Sequence, residues 1–191
     1  GIGNSSAGYG SLARNFAQDW QWFHLKLSQD FFNPYVDHPP LAIWLMGFVL
    51  KLFGSSAHTV RLLSAFSALI VFTCLFLIVR RVFSERAAVW SVLCLLLVNV
   101  FMNYTASGWL DMPMTGFIWA GAYFMIRGMY DKKLWPVALG SIFLGCSVLA
   151  KGVCALAVFP VFGLYAFDQY KLKKWYWPLV FGLFVLAPVV A

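Results

Sequence analysis

The ionisable residues that could do chemistry stand at the edges of long uncharged stretches. Asp37 and His38 immediately precede Pro39 and Pro40, Asp111 follows 24 uncharged residues and precedes 15 more, and Lys151 separates two apolar runs. A charge held at or inside a membrane boundary is expensive and marks a functional position by default. Carboxylates there can accept a proton or stabilise positive charge developing on a substrate, and Lys or His can contact an anion such as a phosphate. Plainer roles are open as well. Lys151 could snorkel from a helix end, as could Arg61 before Leu62. Asp37 could pair with His38 or cap a helix starting at Pro39, and Asp111 could cap the helix that carries Pro113. Two Asp and one His at these spacings do not form a metal-ligand set, and no nucleotide-binding signature accompanies them. No cofactor is therefore expected, and a divalent metal has no support from spacing.

Composition says what must position these residues. The chain of 191 residues is 62% hydrophobic and 11% charged, with a mean hydropathy of +0.78. Soluble domains are about a quarter charged, so this chain has too little polar surface to cover a core in water, and the bilayer is its solvent. The net charge of +7 is not a nucleic-acid footprint, because no continuous basic face exists to lie along phosphates. Cys74, Cys94, Cys146 and Cys154 all fall in apolar runs and read as buried small hydrophobes.

A spanning helix needs roughly 20 mostly apolar residues, with about 17 as a lower bound. Leu62 to Val79, Ala87 to Leu110, Leu134 to Ala150 and Trp175 to Ala191 qualify; Met112 to Ile126 and Gly152 to Phe167 qualify if Asp111 and Lys151 sit at the boundary. The expected fold is therefore all-α, a polytopic transmembrane bundle of six spans over residues 58–191, preceded by a loop region over residues 1–57. Leu41 to Leu50 is too short to cross and reads as a re-entrant or juxtamembrane helix. Leu12, Phe16, Trp20, Phe23, Leu27 and Phe31 recur at helical steps among polar residues, which predicts an amphipathic helix in the interface plane. The opening residues show no secretory signal, and a membrane-targeting helix is expected upstream.

Loop charge sets the orientation. The turns at 80–86, 127–133 and 168–174 hold nine basic residues and three acids, whereas everything assigned to the opposite side holds five and four. The positive-inside bias places the first group in the cytoplasm. Asp37, Asp111 and Lys151 then share the non-cytoplasmic face with residues 1–61.

The residues on that face carry a resemblance. Tyr9-Gly10-Ser11-Leu12-Ala13-Arg14, Pro34-Tyr35-Val36-Asp37-His38-Pro39-Pro40-Leu41, Phe53-Gly54, Val60-Arg61, Leu110-Asp111-Met112-Pro113 and Ala150-Lys151-Gly152 resemble, in order and spacing, the polyprenol-phosphate-sugar-dependent membrane glycosyltransferases. These include the protein O-mannosyltransferases and the lipid A aminoarabinose transferase, which share the GT-C fold. The resemblance covers about the N-terminal third of a family member. It implies transfer of a sugar from a polyprenyl-phosphate carrier to a lipid, glycan or protein acceptor, at a site facing the periplasm or exterior of a bacterial inner membrane. It implies Asp111 and Asp37 as the catalytic carboxylates, and His38, Lys151, Arg61 and Tyr9 on the substrate-binding side, with a cation on the carrier phosphate.

One departure stands out. Where family members carry an Asp-Glu pair four residues before the tyrosine, this chain has Ser5-Ser6, and a serine alone is no general base. Asp37 substitutes for it, or the acceptor is an anion that needs no base, or the chain is an inactive lipid-binding relative. A secondary transporter is the remaining alternative. It predicts inverted repeats, and no second copy of the Asp37-His38-Pro39-Pro40 block occurs.

Overall fold

The computed structural model describes residues 4–19, 39–152 and 155. Among these residues there are seven helices and no strand: α1 (Asn4–Asp19), α2 (Leu41–Phe53), α3 (Ala57–Val82), α4 (Glu85–Leu96), α5 (Asn99–Ser107), α6 (Asp111–Asp131) and α7 (Leu134–Lys151). The expected short helix at 41–50 is α2, which starts after Pro40 and ends at Gly54, whose φ of 83° no side-chain-bearing residue adopts easily. Serines open the next two helices: Ser56 Oγ accepts from the Thr59 N–H at 3.1 Å and Ser84 Oγ from the Ala87 N–H at 3.2 Å.

Helix α3 is long and apolar enough to cross a bilayer by itself, at about 39 Å for its length. The stretch Ala87 to Leu110, expected as one span, instead bends by 66° between α4 and α5. The last turn of α4 tightens, with the Leu97 and Val98 N–H groups reaching Cys94 O and Leu95 O at 3.1 Å, and Val98 then turns extended. Met112 to Ile126 falls within α6 and Leu134 to Ala150 coincides with most of α7. The stretch Trp175 to Ala191, and nearly all of Gly152 to Phe167, lie outside the described residues.

The helices pack through small residues, as expected where lipid removes any hydrophobic drive between them. A Cβ on Gly140 would stand 2.8 Å from the Gly121 carbonyl oxygen, and one on Gly128 would stand 2.6 Å from Val137 Cγ2, so α6 and α7 touch backbone to backbone. Gly116 of α6 likewise meets Ser67 of α3. The buried hydroxyls of Ser67 and Ser141 donate to Leu63 O and Val137 O of their own helices, which satisfies them without a partner helix. Helices α3 and α6 run parallel: Ser64 reaches Trp109 O near their starts and Arg81 pairs with Asp131 at their ends. Helix α7 returns alongside α6.

Large side chains such as Phe66, Leu69, Trp90 and Leu97 are more than half exposed, the outward face a lipid-embedded bundle presents. Cys74 is buried, but Cys94 is exposed on α4 rather than buried as the apolar run suggested; a bundle in lipid places apolar residues outside as readily as inside. In α1, Leu12, Ala13 and Phe16 are buried. Phe16 lies over Gly47 of α2, flanked by Trp44 and Phe48 at ring-centroid distances of 6.5 and 6.3 Å. The stripe's later members, Trp20 to Phe31, lie outside the described residues.

Candidate functional site

Leu110 and Ala150 have no exposed surface, and each precedes one of the charged residues singled out by sequence. They share one apolar cluster with Leu12 and Phe16 of α1, Ile43 and Met46 of α2 and Val60 of α3, with Tyr9 packed against it. Five chain segments thus converge at one end of the bundle. Close contacts lock the convergence: Val60 lies against the Cβ positions of Gly10 and Gly108 at 3.5 and 3.1 Å. Gly108 itself closes α5 in the left-handed region with φ 73°.

On the rim of this cluster Lys151 Nζ donates to Asp111 Oδ1. The pair joins the last residue of α7 to the first residue of α6, and the two side chains are 21% and 26% exposed. The helix termini explain the meeting. Residues 111–131 descend, 132–133 turn, and 134–151 return at the same rise, so the chain comes back to its starting level after 40 residues. Asp111 is not an N-cap; Leu110 occupies that place and no side-chain cap hydrogen bond is made there. The carboxylate instead sits in the first turn of α6, where the helix dipole favours it, and is neutralised by lysine. A paired charge at a partly buried boundary is far easier to hold than a single one.

Arg61 follows Val60 on α3, half-buried, and its buried Nε has no hydrogen-bond partner among the described residues. Asp37 and His38 lie outside the described residues. Pro39, the next residue along, packs against the end of α7: a Cβ on Gly152 would stand 3.6 Å from Pro39 Cδ. The structure therefore brings Asp111 and Lys151 into direct contact and sets Tyr9 and Arg61 on segments of the same cluster. Among the described residues no three His, Cys, Asp or Glu side chains converge as a metal-ligand group.

Sequence reasoning placed Asp111 and Lys151 on one face but gave them separate partners, and so missed their bond. The legible signal was two opposite charges, each ending an apolar run, with one tight turn between the runs. It also missed the polar knot at the other end. There Asp131 accepts from Arg81 and lies 3.6 Å from Arg127 Nε, while Arg81 and Arg127 stack over Tyr130 and Trp135 at 5.3 and 5.8 Å.

Known proteins fit this architecture. The crystal structures of ArnT from Cupriavidus metallidurans, in the apo state and bound to undecaprenyl phosphate, superpose with TM-scores of 0.81 and 0.82. At 22% identity they cover 98% of this chain and 36% of their own. The shared all-helical architecture is the GT-C fold. An undecaprenyl phosphate-alpha-4-amino-4-deoxy-L-arabinose arabinosyl transferase from Shewanella sediminis (strain HAW-EB3) is 28% identical over 193 residues, covering 94% of this chain and 34% of the relative. The chain thus spans about a third of the length of the relatives it matches. The family model described as dolichyl-phosphate-mannose-protein mannosyltransferase matches residues 37–191, beginning at Asp37 and taking in both Asp111 and Lys151. The chain belongs to that glycosyltransferase family.

Proposed function

We propose that this chain forms the part of an integral membrane glycosyltransferase that binds the head of a polyprenyl-phosphate-linked sugar and moves the sugar to an acceptor on the non-cytoplasmic face. The observation that carries the reading is the Asp111–Lys151 pair on the rim of the five-segment cluster. It sets an anion and a cation side by side, the two charges that sugar transfer from a lipid-borne phosphate calls for. The undecaprenyl phosphate of the ArnT complex gives the carrier its class.

Cleavage of the bond between the sugar carbon and the phosphate oxygen leaves the electron pair on the phosphate and builds positive charge on the sugar. An acceptor oxygen then bonds to the same carbon. Asp111 faces the sugar and stabilises its charge; Lys151 transfers its hydrogen bond from Asp111 to the departing phosphate, helped by Arg61 and His38. Asp37 takes the proton of a hydroxyl acceptor. Tyr9, packed at the cluster, lines the sugar side. Until donor arrives, the ion pair holds both side chains in place, which limits the reorganisation needed at reaction.

Six spans over residues 58–191, with the Asp111 end toward the periplasm of a bacterial inner membrane, complete the reading. The spacing of the polar layers supports the crossing, since Asp111 and Asp131 are separated by about 30 Å of helix, the thickness of a hydrocarbon core; the excess of Lys and Arg in the turns at 80–86 and 127–133 supports the direction. Ser5-Ser6 supports a second reading, an inactive relative that binds the carrier without turnover. The test is sugar transfer from a synthetic polyprenyl-phosphate sugar by the intact protein and by Asp111→Asn. Transfer that disappears in the variant, with donor still bound, supports the enzyme; binding without transfer in the parent protein supports the inactive relative.

A further inference from the structure

An apolar groove of about 440 Å³ lies between α3 and α4, lined chiefly by Phe72, Phe76 and Leu77 on one side and Val89, Val92 and Leu93 on the other. Helical spacing runs both linings into positive charge. Arg80 lies four residues past Phe76 and three past Leu77, and Arg86 lies three before Val89, so each stands one turn beyond the groove on the same face. Both are exposed. Neither makes a hydrogen bond or ion pair among the described residues, in contrast to Arg81, which Asp131 holds. A groove of apolar side chains ending in two unpaired guanidinium groups at the level of the α3–α4 turn has the polarity of a phospholipid.

We propose that one anionic glycerophospholipid binds here, an acyl chain in the groove and its phosphate between Arg80 and Arg86. The inference rests on the reading of α3 and α4 as bilayer helices, and its choice of occupant on the proposed site and orientation of Asp111. Two features favour this occupant over the carrier lipid. The groove's charged mouth is at the Asp131 end of the bundle, about 30 Å of helix from Asp111, so a carrier phosphate reacting at Asp111 cannot sit in it. Among the described residues the surrounding turns also carry exposed Lys132 and Lys133 against a single unpaired acid, Glu85, the field to which anionic headgroups of the cytoplasmic leaflet are drawn.

The test uses the intact protein in phosphatidylcholine nanodiscs containing a trace of spin-labelled phosphatidylglycerol, reading the motionally restricted fraction of the label. Restricted phosphatidylglycerol should be favoured over labelled phosphatidylcholine. Arg80→Gln should lower that preference about fivefold, and Arg80→Gln with Arg86→Gln about twentyfold or more. Lys132→Gln with Lys133→Gln should lower it less than Arg80→Gln alone, because those lysines add to the surface field but do not end the groove. Val92→Trp, which fills the groove and keeps both arginines, should also release the label. An equal loss in the lysine pair would mean diffuse attraction and overturn the site, as would an unchanged preference in the arginine pair. Displacement of the label by polyprenyl phosphate at lower concentration than by unlabelled phosphatidylglycerol would overturn the choice of occupant.

Discussion

Asp111 and Lys151 hold one another, and that changes what each substitution reads. Removing either partner leaves the other charge partly buried and unpaired, a structural penalty separate from any catalytic one. Asp111→Asn keeps the shape and a hydrogen-bonding group, so insertion and yield should hold while transfer falls by orders of magnitude; loss of a mere helix-terminal charge costs only about 1 kcal/mol of stability. The exchanged pair, Asp111→Lys with Lys151→Asp, separates the roles. It should restore a monodisperse, thermally stable protein in detergent yet give no transfer, since the carboxylate would now stand on α7. Transfer by the exchanged pair would make the contact purely structural. Lys151→Gln should raise the donor concentration for half-maximal transfer about tenfold, the loss of one charge-assisted contact, with His38→Ala shifting it less in the same direction. At this scale the sequence was legible because charges beside apolar runs are conspicuous. The pairing was not, since it depends on α6 and α7, of 21 and 18 residues, folding back on each other across a two-residue turn.

Helices α2, α3, α6 and α7 follow from apolar runs bounded by prolines and charges, and their positions were readable for that reason. The 66° break between α4 and α5 was not. No proline or glycine marks it, and Leu97 and Val98 are as apolar as the helix they interrupt. What fixes the elements against each other is the absence of side chains at a few points. Gly140→Val would press a branched side chain into the Gly121 carbonyl, where even a Cβ comes within 2.8 Å, and overpacking of this kind costs about 1 to 3 kcal/mol. We expect a lower Tm in detergent, and a loss of transfer beyond what the lower Tm explains, because α6 and α7 carry Asp111 and Lys151 at their ends. Gly8→Ala in α1 is the matched control, with nothing within 4 Å of the new Cβ; it should leave Tm unchanged or raise it, as alanine favours helix by about 0.5 to 1 kcal/mol. Equal effects of the two substitutions would remove the α6–α7 contact as the element that sets the site.

Among the described residues the ion pairs sort into two layers. One holds Asp111, Lys151 and Arg61 with the α1–α2 cluster; the other holds Arg81, Arg127 and Asp131 with their stacked aromatics. Parallel α3 and α6 connect them, so the layers lie on opposite faces if the bundle crosses the membrane. Loop composition made this division legible, because the unequal distribution of Lys and Arg survives without any knowledge of packing. The lateral arrangement was not legible, since outward side chains such as Phe66 and Leu69 are as apolar as core ones. The bias predicts which layer faces the cytoplasm. Ser55, in the exposed turn before α3, and Lys133, in the exposed turn before α7, are suitable reporters in a background where Cys74, Cys94, Cys146 and Cys154 are replaced by serine or alanine. An impermeant maleimide applied to intact spheroplasts should label Ser55→Cys and spare Lys133→Cys, and permeabilisation should expose the latter. The reverse pattern would turn the Asp111 site toward the cytoplasm. Labelling of both from outside would mean that α3 and α6 do not carry their two polar layers across the bilayer, and the spacing of about 30 Å between Asp111 and Asp131 would then need another cause.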